Sequence, residues 1–344
     1  MARIKAPAEL PELVRAAFSK ARSSGDLHFF PTQVTLLNID SIPIYARQFQ
    51  LRFSPALANK PKGPPRDPTT TPQKPFDPFE SPPAALKVAD LGPAHFLVLN
   101  KFAVVPEHFI LATTRFKHQT HVLEPDDLEA TLACIEAYDA VAETEEGTSA
   151  GGGRSEQGLY AFFNCGDHSG ASQPHRHIQL LPIARMRDGL DGQSSAWDVM
   201  VDRLDVCKPP FSVFSEVIRL GMSGEELHQT YLRLYRRACH AVAVYAGDGA
   251  GAAQDAPSQG ETLISYNMAM TKNTMAIAPR LAEGAKIPGP DGQDLGFAAL
   301  NGTVLAGTAL VKNEVEWEAM IKDAKGLHGV LKAIGIPQEG SEKS

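Results

Sequence analysis

The chain has 344 residues, 43% of them apolar, and carries a formal charge of −7. That is enough apolar material for one large core or two ordinary ones, and the acidic balance argues against a general nucleic-acid binder, which would present a basic face. It leaves room for a small anionic ligand held by a few local Lys and Arg residues. Four scattered cysteines without a C-x-x-C spacing read as free thiols in a reducing compartment, not as a zinc site or a disulfide framework. The N-terminus lacks the apolar run of a secretory signal, and no stretch nears the roughly 18 consecutive apolar residues of a membrane span. The cytoplasm is therefore the expected location, with the nucleus left open.

In chain order, residues 10–24 carry helix-spaced apolar positions (Leu13, Ala16, Ala17, Ala21) that end at Gly25 and Asp26. Residues 33–53 alternate imperfectly and predict strands with a turn between them. From 54 to 84 prolines crowd in, which excludes a helix and removes ladder donors, so a surface loop is expected. Its first lysines, Lys60 and Lys62, could reach a site. Residues 95–113 predict two buried strands punctuated at Asn100-Lys101 and Pro106-Glu107. A helix should start at Pro125, with Asp126 and Asp127 in its first turn, and run to about 144. Residues 147–158 and 247–260 are glycine-rich inserts, and 197–222 is ambiguous. Between the inserts, 160–183 predicts strand, small-residue turn and strand, and 224–245 a helix. Strands follow at 262–270 and 274–279. A further glycine-rich loop, strands at about 296–312 and one amphipathic helix over 314–334 complete the chain. Hairpin-like strands with separate helices predict an α+β fold with largely antiparallel sheets.

The segment that carries chemistry is His175-Arg176-His177-Ile178-Gln179. On a strand, alternation puts His175, His177 and Gln179 on one face and Arg176, Ile178 and Leu180 on the other. Upstream, Gly166, Ser169, Gly170 and Ser172 form a small-residue turn whose N–H groups and hydroxyls can cradle phosphate. A neutral imidazole near pH 7 can attack phosphorus, provided that a second histidine or a carbonyl fixes its tautomer. Gln179, Ser172 and nearby amides could meet charge developing on the phosphoryl oxygens. An H-x-H pair alone would also serve as half a metal site. His118 and His121 form an H-x-x-H without an evident third ligand and read as solvent-facing. Gly151-Gly152-Gly153 lacks a following helix and reads as a linker, and 166–170 does not fit a serine-hydrolase elbow.

The longer string Asn164-x-Gly166-x-x-Ser169-Gly170-Ala171-Ser172-Gln173-Pro174-His175-Arg176-His177-Ile178-Gln179 resembles the histidine-triad superfamily, in the branch where glutamine replaces the third histidine and which holds the nucleotidyl transferases. Leu99-Asn100-Lys101-Phe102, the run PEHFILAT at 106–113, Gln119-Thr120, Pro125-Asp126-Asp127-Leu128, Ser265-Tyr266-Asn267 and Met270-Thr271-Lys272 resemble, in order, the fungal diadenosine-tetraphosphate phosphorylases, also called ATP adenylyltransferases. The resemblance spans about residues 30 to 335.

The resemblance implies histidine-triad- and uridylyltransferase-like antiparallel sheets with flanking helices. A faint echo between PEHFILA and TMAIAPR suggests a duplicated core. It implies a catalytic region over 1–195 and a completing region over 196–344. It makes His177 the nucleophile that takes AMP from a diadenosine polyphosphate, expels ATP, and passes the AMP to inorganic phosphate. His175 and Gln179 accompany it; glutamine can hydrogen-bond a phosphoryl oxygen but not shuttle a proton. Substrate contacts carry over to Lys60, Asn100, Lys101, Asn164, the turn Gly170, Ala171, Ser172 and Gln173, and to Asn267, Thr271 and Lys272. A divalent cation, Mg²⁺, is expected with the polyphosphate, with no organic cofactor and no metal held by the protein alone. Competing readings are adenylyl sulfate exchange, uridylyl transfer to a sugar phosphate, or a nucleotide sensor without turnover. The inserts and the Ala269 region depart from the family pattern and bear on base selectivity.

Overall fold

The computed structural model describes residues 3–38, 49–58, 76–146, 158–192, 197–247, 256–289 and 293–338. Lys60, Lys62 and most of the proline-rich and glycine-rich inserts lie outside them. Seven helices occur among the described residues: α1 (Leu10–Ser24), α2 (Pro55–Ala58), α3 (Pro125–Glu146), α4 (Ile183–Met186), α5 (Gly224–Ala246), α6 (Glu314–Lys322) and α7 (Lys325–Ile334). None is long and apolar enough to cross a membrane. The strands are β1 (His28–Phe29), β2 (Gln33–Leu37), β3 (Phe49–Phe53), β4 (Lys87–Leu91), β5 (His95–Leu99), β6 (Phe102–Ala103), β7 (Phe109–Thr113), β8 (Leu159–Cys165), β9 (His177–Pro182), β10 (Phe214–Val217), β11 (Tyr266–Met270), β12 (Thr274–Pro279), β13 (Gly284–Pro288), β14 (Asp294–Ala299) and β15 (Thr308–Val311).

Local chemistry sets the helix ends. Proline in the first turn of α1 needs no N–H partner, and Gly25 closes the helix in the left-handed region at φ 81°. Leu10, Val14, Phe18 and Ala21 form its buried stripe. Ser223 and Glu226 make a reciprocal capping box at the start of α5, and Gly247 ends it.

Eight strands form one sheet in the order β10-β12-β11-β8-β9-β7-β5-β4, every neighbouring pair antiparallel. One face packs on α1, α3 and α5 through Leu111, Phe163, Ile178, Leu180, Met268 and Ile277. Part of the opposite face packs on a second core, containing Tyr160, Phe162, Ala269 and Ala278, that extends to α7 and to a second sheet, β15-β3-β2. In that sheet β3 pairs antiparallel with β2 and parallel with β15. The α+β, largely antiparallel architecture expected from the sequence is the one observed.

Two expectations need correction. The helix over 314–334 is broken: Asp323 is extended, and its side chain accepts the Lys325 N–H at 2.9 Å, a local bond that competes with the helix. The glycine-rich stretch after β12 is partly strand, because β13 and β14 form a hairpin. At Gly284 a Cβ would collide with the Ala298 carbonyl, so the glycine admits the close approach.

Candidate active site

The sequence puts its chemistry on the central strand of the large sheet. Ile178 and Leu180 are buried toward the helices, and His177 and Gln179 therefore project from the other face. On β7, Ala112 lies opposite His177 and Ile110 opposite Gln179; on β8, Phe162 lies opposite Gln179. Alanine at 112 leaves space beside the imidazole that a larger side chain would fill.

The ladder between β8 and β9 stops short of His177, and Gln119 takes its place. Its Oε1 accepts from the His177 N–H at 2.8 Å, and its Nε2 donates to the carbonyls of Asn164 at 2.8 Å and His177 at 3.2 Å. One buried amide thus fixes the backbone at the nucleophile position without needing a strand pair there.

The His177 ring is fixed in turn. Its Nδ1 sits 2.8 Å from the His175 carbonyl, which can only accept, so Nδ1 carries the proton and Nε2 keeps its lone pair. Among the described residues Nε2 has no hydrogen-bond partner. Burial pulls the imidazole from the usual 6.5 to about 4, the His175 carbonyl opposing and the His175 ring reinforcing the shift. The ring is therefore neutral at physiological pH. It is 3% exposed, and Phe79 lies over it with centroids 5.1 Å apart.

His175 does not lie within the strand, as the alternation suggested, but in a bridge opposite His118 just before it. Its Nδ1 meets Asp77 Oδ2 at 2.7 Å and its Nε2 meets the Thr113 carbonyl at 2.8 Å. Asp77 Oδ1 also accepts the Phe79 N–H at 2.9 Å, so this carboxylate ties the His175 ring to the backbone of the residue whose ring lies over His177. Arg176 points to the helical side. There it donates to Asp127 Oδ2 at 2.7 Å, and Asp127 Oδ1 meets His95 Nε2 at 2.8 Å.

The small-residue turn is held from the C-terminal half of the chain. Gly166 and Gly170 have φ of 83° and 78°, and a Cβ at Gly170 would stand 2.9 Å from the Leu300 carbonyl. Asn267 Nδ2 donates to the Ser169 carbonyl and to Asn164 Oδ1, both at 2.9 Å, and Asn164 Oδ1 also accepts the Gly302 N–H at 2.9 Å. Arg280 donates to Asn267 Oδ1 and to the carbonyls of Ala282, Glu283 and Leu300. Burial lowers its guanidinium to about 10. The side chains of Asn164 and Asn267 are thus engaged in bracing the turn. Ser172 is exposed, Ala171 and Gln173 half-buried.

His175, His177, Gln179, Asn164, Asn267 and the 170–173 turn lie together at one end of the sheet. Thr271 and Lys272 do not join them. They follow the other end of β11, roughly 13 Å from Asn267 at the usual strand rise, where Thr271 donates to Asp202 at 2.7 Å and Lys272 pairs with Asp139 at 2.6 Å. Asn100 bonds the Phe102 N–H and His108, and Lys101 is exposed. Sequence reading missed Asp77, Phe79, His108 and Arg280. Of these only His108 left a signal: it shares β7's alternation with Ile110 and Ala112, which becomes informative once the register with β9 is known.

Comparison with known proteins gives the family and the fold. The family model described as Ap4A phosphorylase N-terminal domain matches residues 1–160 and 154–191, and that described as ATP adenylyltransferase C-terminal domain matches 208–337. The chain is 29% identical over 318 residues to diadenosine 5',5'''-P1,P4-tetraphosphate phosphorylase 2 of Saccharomyces cerevisiae, covering 88% of this chain and 87% of that protein. It is 25% identical to protein APA1 of the same yeast over 356 residues, covering 98% and 97%. The crystal structure of yeast Ap4A phosphorylase Apa2 superposes with a TM-score of 0.68 at 25% identity, over 96% of this chain and 98% of that one. The same enzyme has been solved with AMP and with Ap4A, each at TM-score 0.68 and 24% identity.

Proposed function

The chain belongs to the Ap4A phosphorylase family of ATP adenylyltransferases, and on that premise we propose that it converts diadenosine tetraphosphate and inorganic phosphate into ATP and ADP through AMP carried on His177. The observation that carries the reading is the His177 ring itself, with Nδ1 committed to the His175 carbonyl and Nε2 left with a lone pair. Nε2 attacks the α-phosphorus, the bond to the bridging oxygen breaks, and ATP leaves with that electron pair. Phosphate then displaces Nε2 from the same phosphorus and departs as ADP.

The neutral ring needs no base to deprotonate Nε2, and the carbonyl on Nδ1 steadies the positive charge that the ring gains on attack. Gln179 donates to a phosphoryl oxygen without offering a proton of its own chemistry, which suits transfer to phosphate over general-base activation of water. The ring is 3% exposed and Phe79 packs against it, so the surroundings of His177 must open for the α-phosphorus to approach. Among the described residues no group of three or more His, Cys, Asp or Glu side chains is placed to hold a metal. We assign the divalent cation, Mg²⁺, to the polyphosphate itself.

Intact-protein mass spectrometry after mixing with diadenosine tetraphosphate, in buffer free of phosphate, tests the reading. An AMP adduct that maps to His177, disappears in His177→Ala and is discharged as ADP by added phosphate supports it. An adduct on another residue, or ATP release at the same rate without phosphate, overturns it.

A further inference from the structure

Beyond the nucleophile, the structure holds an unassigned buried imidazole whose position bears on Gln179. In the β7–β9 ladder Phe109 lies opposite Leu180 and Ile110 opposite Gln179. His108, two residues before Ile110, therefore shares the face of Gln179 and is its diagonal neighbour, within reach of a long side chain. Its approach is set by Glu107, a buried non-glycine residue at φ 60° whose carboxylate takes two bonds from Arg185, at 3.0 and 2.8 Å. A left-handed residue held this firmly marks a bend that the surrounding structure enforces.

Two polar atoms here are buried without a hydrogen-bond partner among the described residues: Nε2 of His108 and Oε1 of Gln179. The far side of His108 says which of them has the proton. The Phe102 N–H donates to Asn100 Oδ1 at 2.9 Å, which turns the amide nitrogen of Asn100 toward His108 Nδ1, 3.2 Å away. An amide N–H₂ only donates, so Nδ1 accepts and the proton stands on Nε2. The unpaired atoms are thus one donor and one acceptor. Burial lowers the His108 imidazole to about 4, the Gln179 amide opposing that shift and His177 adding to it, so the ring is neutral at physiological pH.

We infer that Asn100 and His108 form a positioning relay: the Phe102 N–H orients Asn100, Asn100 selects the His108 tautomer, and His108 Nε2–H takes Gln179 Oε1, leaving the Gln179 N–H₂ to face the phosphoryl oxygen. The inference rests on the proposed AMP transfer to His177 for its consequence, though not for its geometry. A free glutamine side chain would offer its oxygen and its nitrogen with similar ease, and the oxygen would repel a phosphoryl group. The relay removes that wrong orientation before substrate arrives. It also gives Asn100 a role that needs no contact with nucleotide.

The test combines tautomer and kinetics at pH 8. Nitrogen-15 NMR of histidine-labelled protein should report His108 protonated on Nε2 alone; a proton on Nδ1 overturns the relay whatever the enzyme does. In Asn100→Asp the carboxylate accepts from Nδ1, the tautomer reverses, and Gln179 turns its oxygen to the site. The single-turnover rate of AMP transfer should fall about 100-fold, the scale of losing one preorganised donor, with half-saturation unchanged within about threefold. Adding His108→Phe to Asn100→Asp removes the misdirecting ring and should recover about tenfold of that rate. If the double variant is as slow as Asn100→Asp or slower, Asn100 or His108 acts by direct contact or by general support, and the relay is wrong. Absence of wild-type AMP labelling would count against the proposed reaction, while the NMR result would still decide the relay.

Discussion

Asp127→Asn tests how strongly the fold holds the strand that carries His177. The carboxylate accepts from Arg176 at 2.7 Å, His95 at 2.8 Å and the Glu124 N–H at 2.8 Å. Both charged side chains are nearly sealed from water, Arg176 at 3% and Asp127 at 2%. Burial alone would raise the Asp127 carboxyl; the bond from His95 and the attraction of Arg176 overcome it and hold the group at about 2, against 3.8. A shift of that size corresponds to about 2.5 kcal/mol of stability at neutral pH. Because the folded value is the lower one, this contribution is complete above about pH 4 and is lost as pH falls through about 2. Asparagine forfeits it, leaves the buried guanidinium only the half-exposed Glu124 carboxylate at 3.0 Å as a counter-charge, and turns an N–H₂ toward one of three donors, so a total cost of about 3–5 kcal/mol is expected. Urea unfolding at pH 7 measures it as a lower midpoint at constant slope. Pairing the change with Arg176→Met should cost clearly less than the two singles added, since the stranded charge is then gone. A single-variant cost under about 1 kcal/mol, or strict additivity, would refute the claim that this buried pair anchors the strand.

Acid should act on the nucleophile late. With His177 at about 4, the rate of AMP labelling stays flat from pH 8 to well below 6 and falls only near 4; a rapid-mixing profile centred on 6.5 would contradict the buried neutral ring. The same shift means that the unfolded chain takes up a proton the folded one refuses, so stability declines as pH drops from 6.5 toward 4, by about 3 kcal/mol for this ring. Phe79→Ala admits water to the imidazole, and its NMR titration midpoint should move up toward 6.5. Gly170→Ala imposes a left-handed residue costing roughly 1–2 kcal/mol and adds a collision with the Leu300 carbonyl. Gly25→Ala, equally left-handed but with nothing within 4 Å of the new Cβ, is the control, and thermal melts should show Gly170→Ala the more harmful. Arg280→Met leaves the buried Leu300 carbonyl and Asn267 Oδ1 without their donor, while the Glu283 carbonyl keeps the Leu300 N–H; at roughly 1–3 kcal/mol for each orphaned buried group, the loss should reach at least about 2 kcal/mol by urea unfolding.

Short-range patterns were readable where one physical rule governed them. Period-two alternation around His177 gave the face it shares with Gln179, and Pro125 with its following acids gave the start of α3. The break of the last helix was not readable because Asp323 is an ordinary helix residue until its side chain captures the Lys325 N–H. Longer-range positioning left no local trace. Asp77 meets His175 across 98 residues, and its own neighbourhood is proline-rich and says only that a loop is present. Arg280 is bonded chiefly to carbonyls, which every residue has, so no pattern of side chains could point to it. Thr271 and Lys272 illustrate the converse: the resemblance groups them with Asn267 as substrate contacts, but the extended strand between carries them past the opposite end of β11.

Strand β3 emerges early in the chain, yet its partner on one side is β15, bonded through pairs such as Gln50 and Thr308 that stand 258 residues apart. A ribosome adding 5–20 residues per second leaves that edge waiting on the order of ten to fifty seconds. For that interval Phe49, Leu51 and Phe53, on an unpaired parallel edge, offer themselves to any passing strand. Shielding of the nascent chain should therefore raise its yield, and that yield in a cell should respond more sharply to translation speed and chaperone supply than its equilibrium stability would suggest.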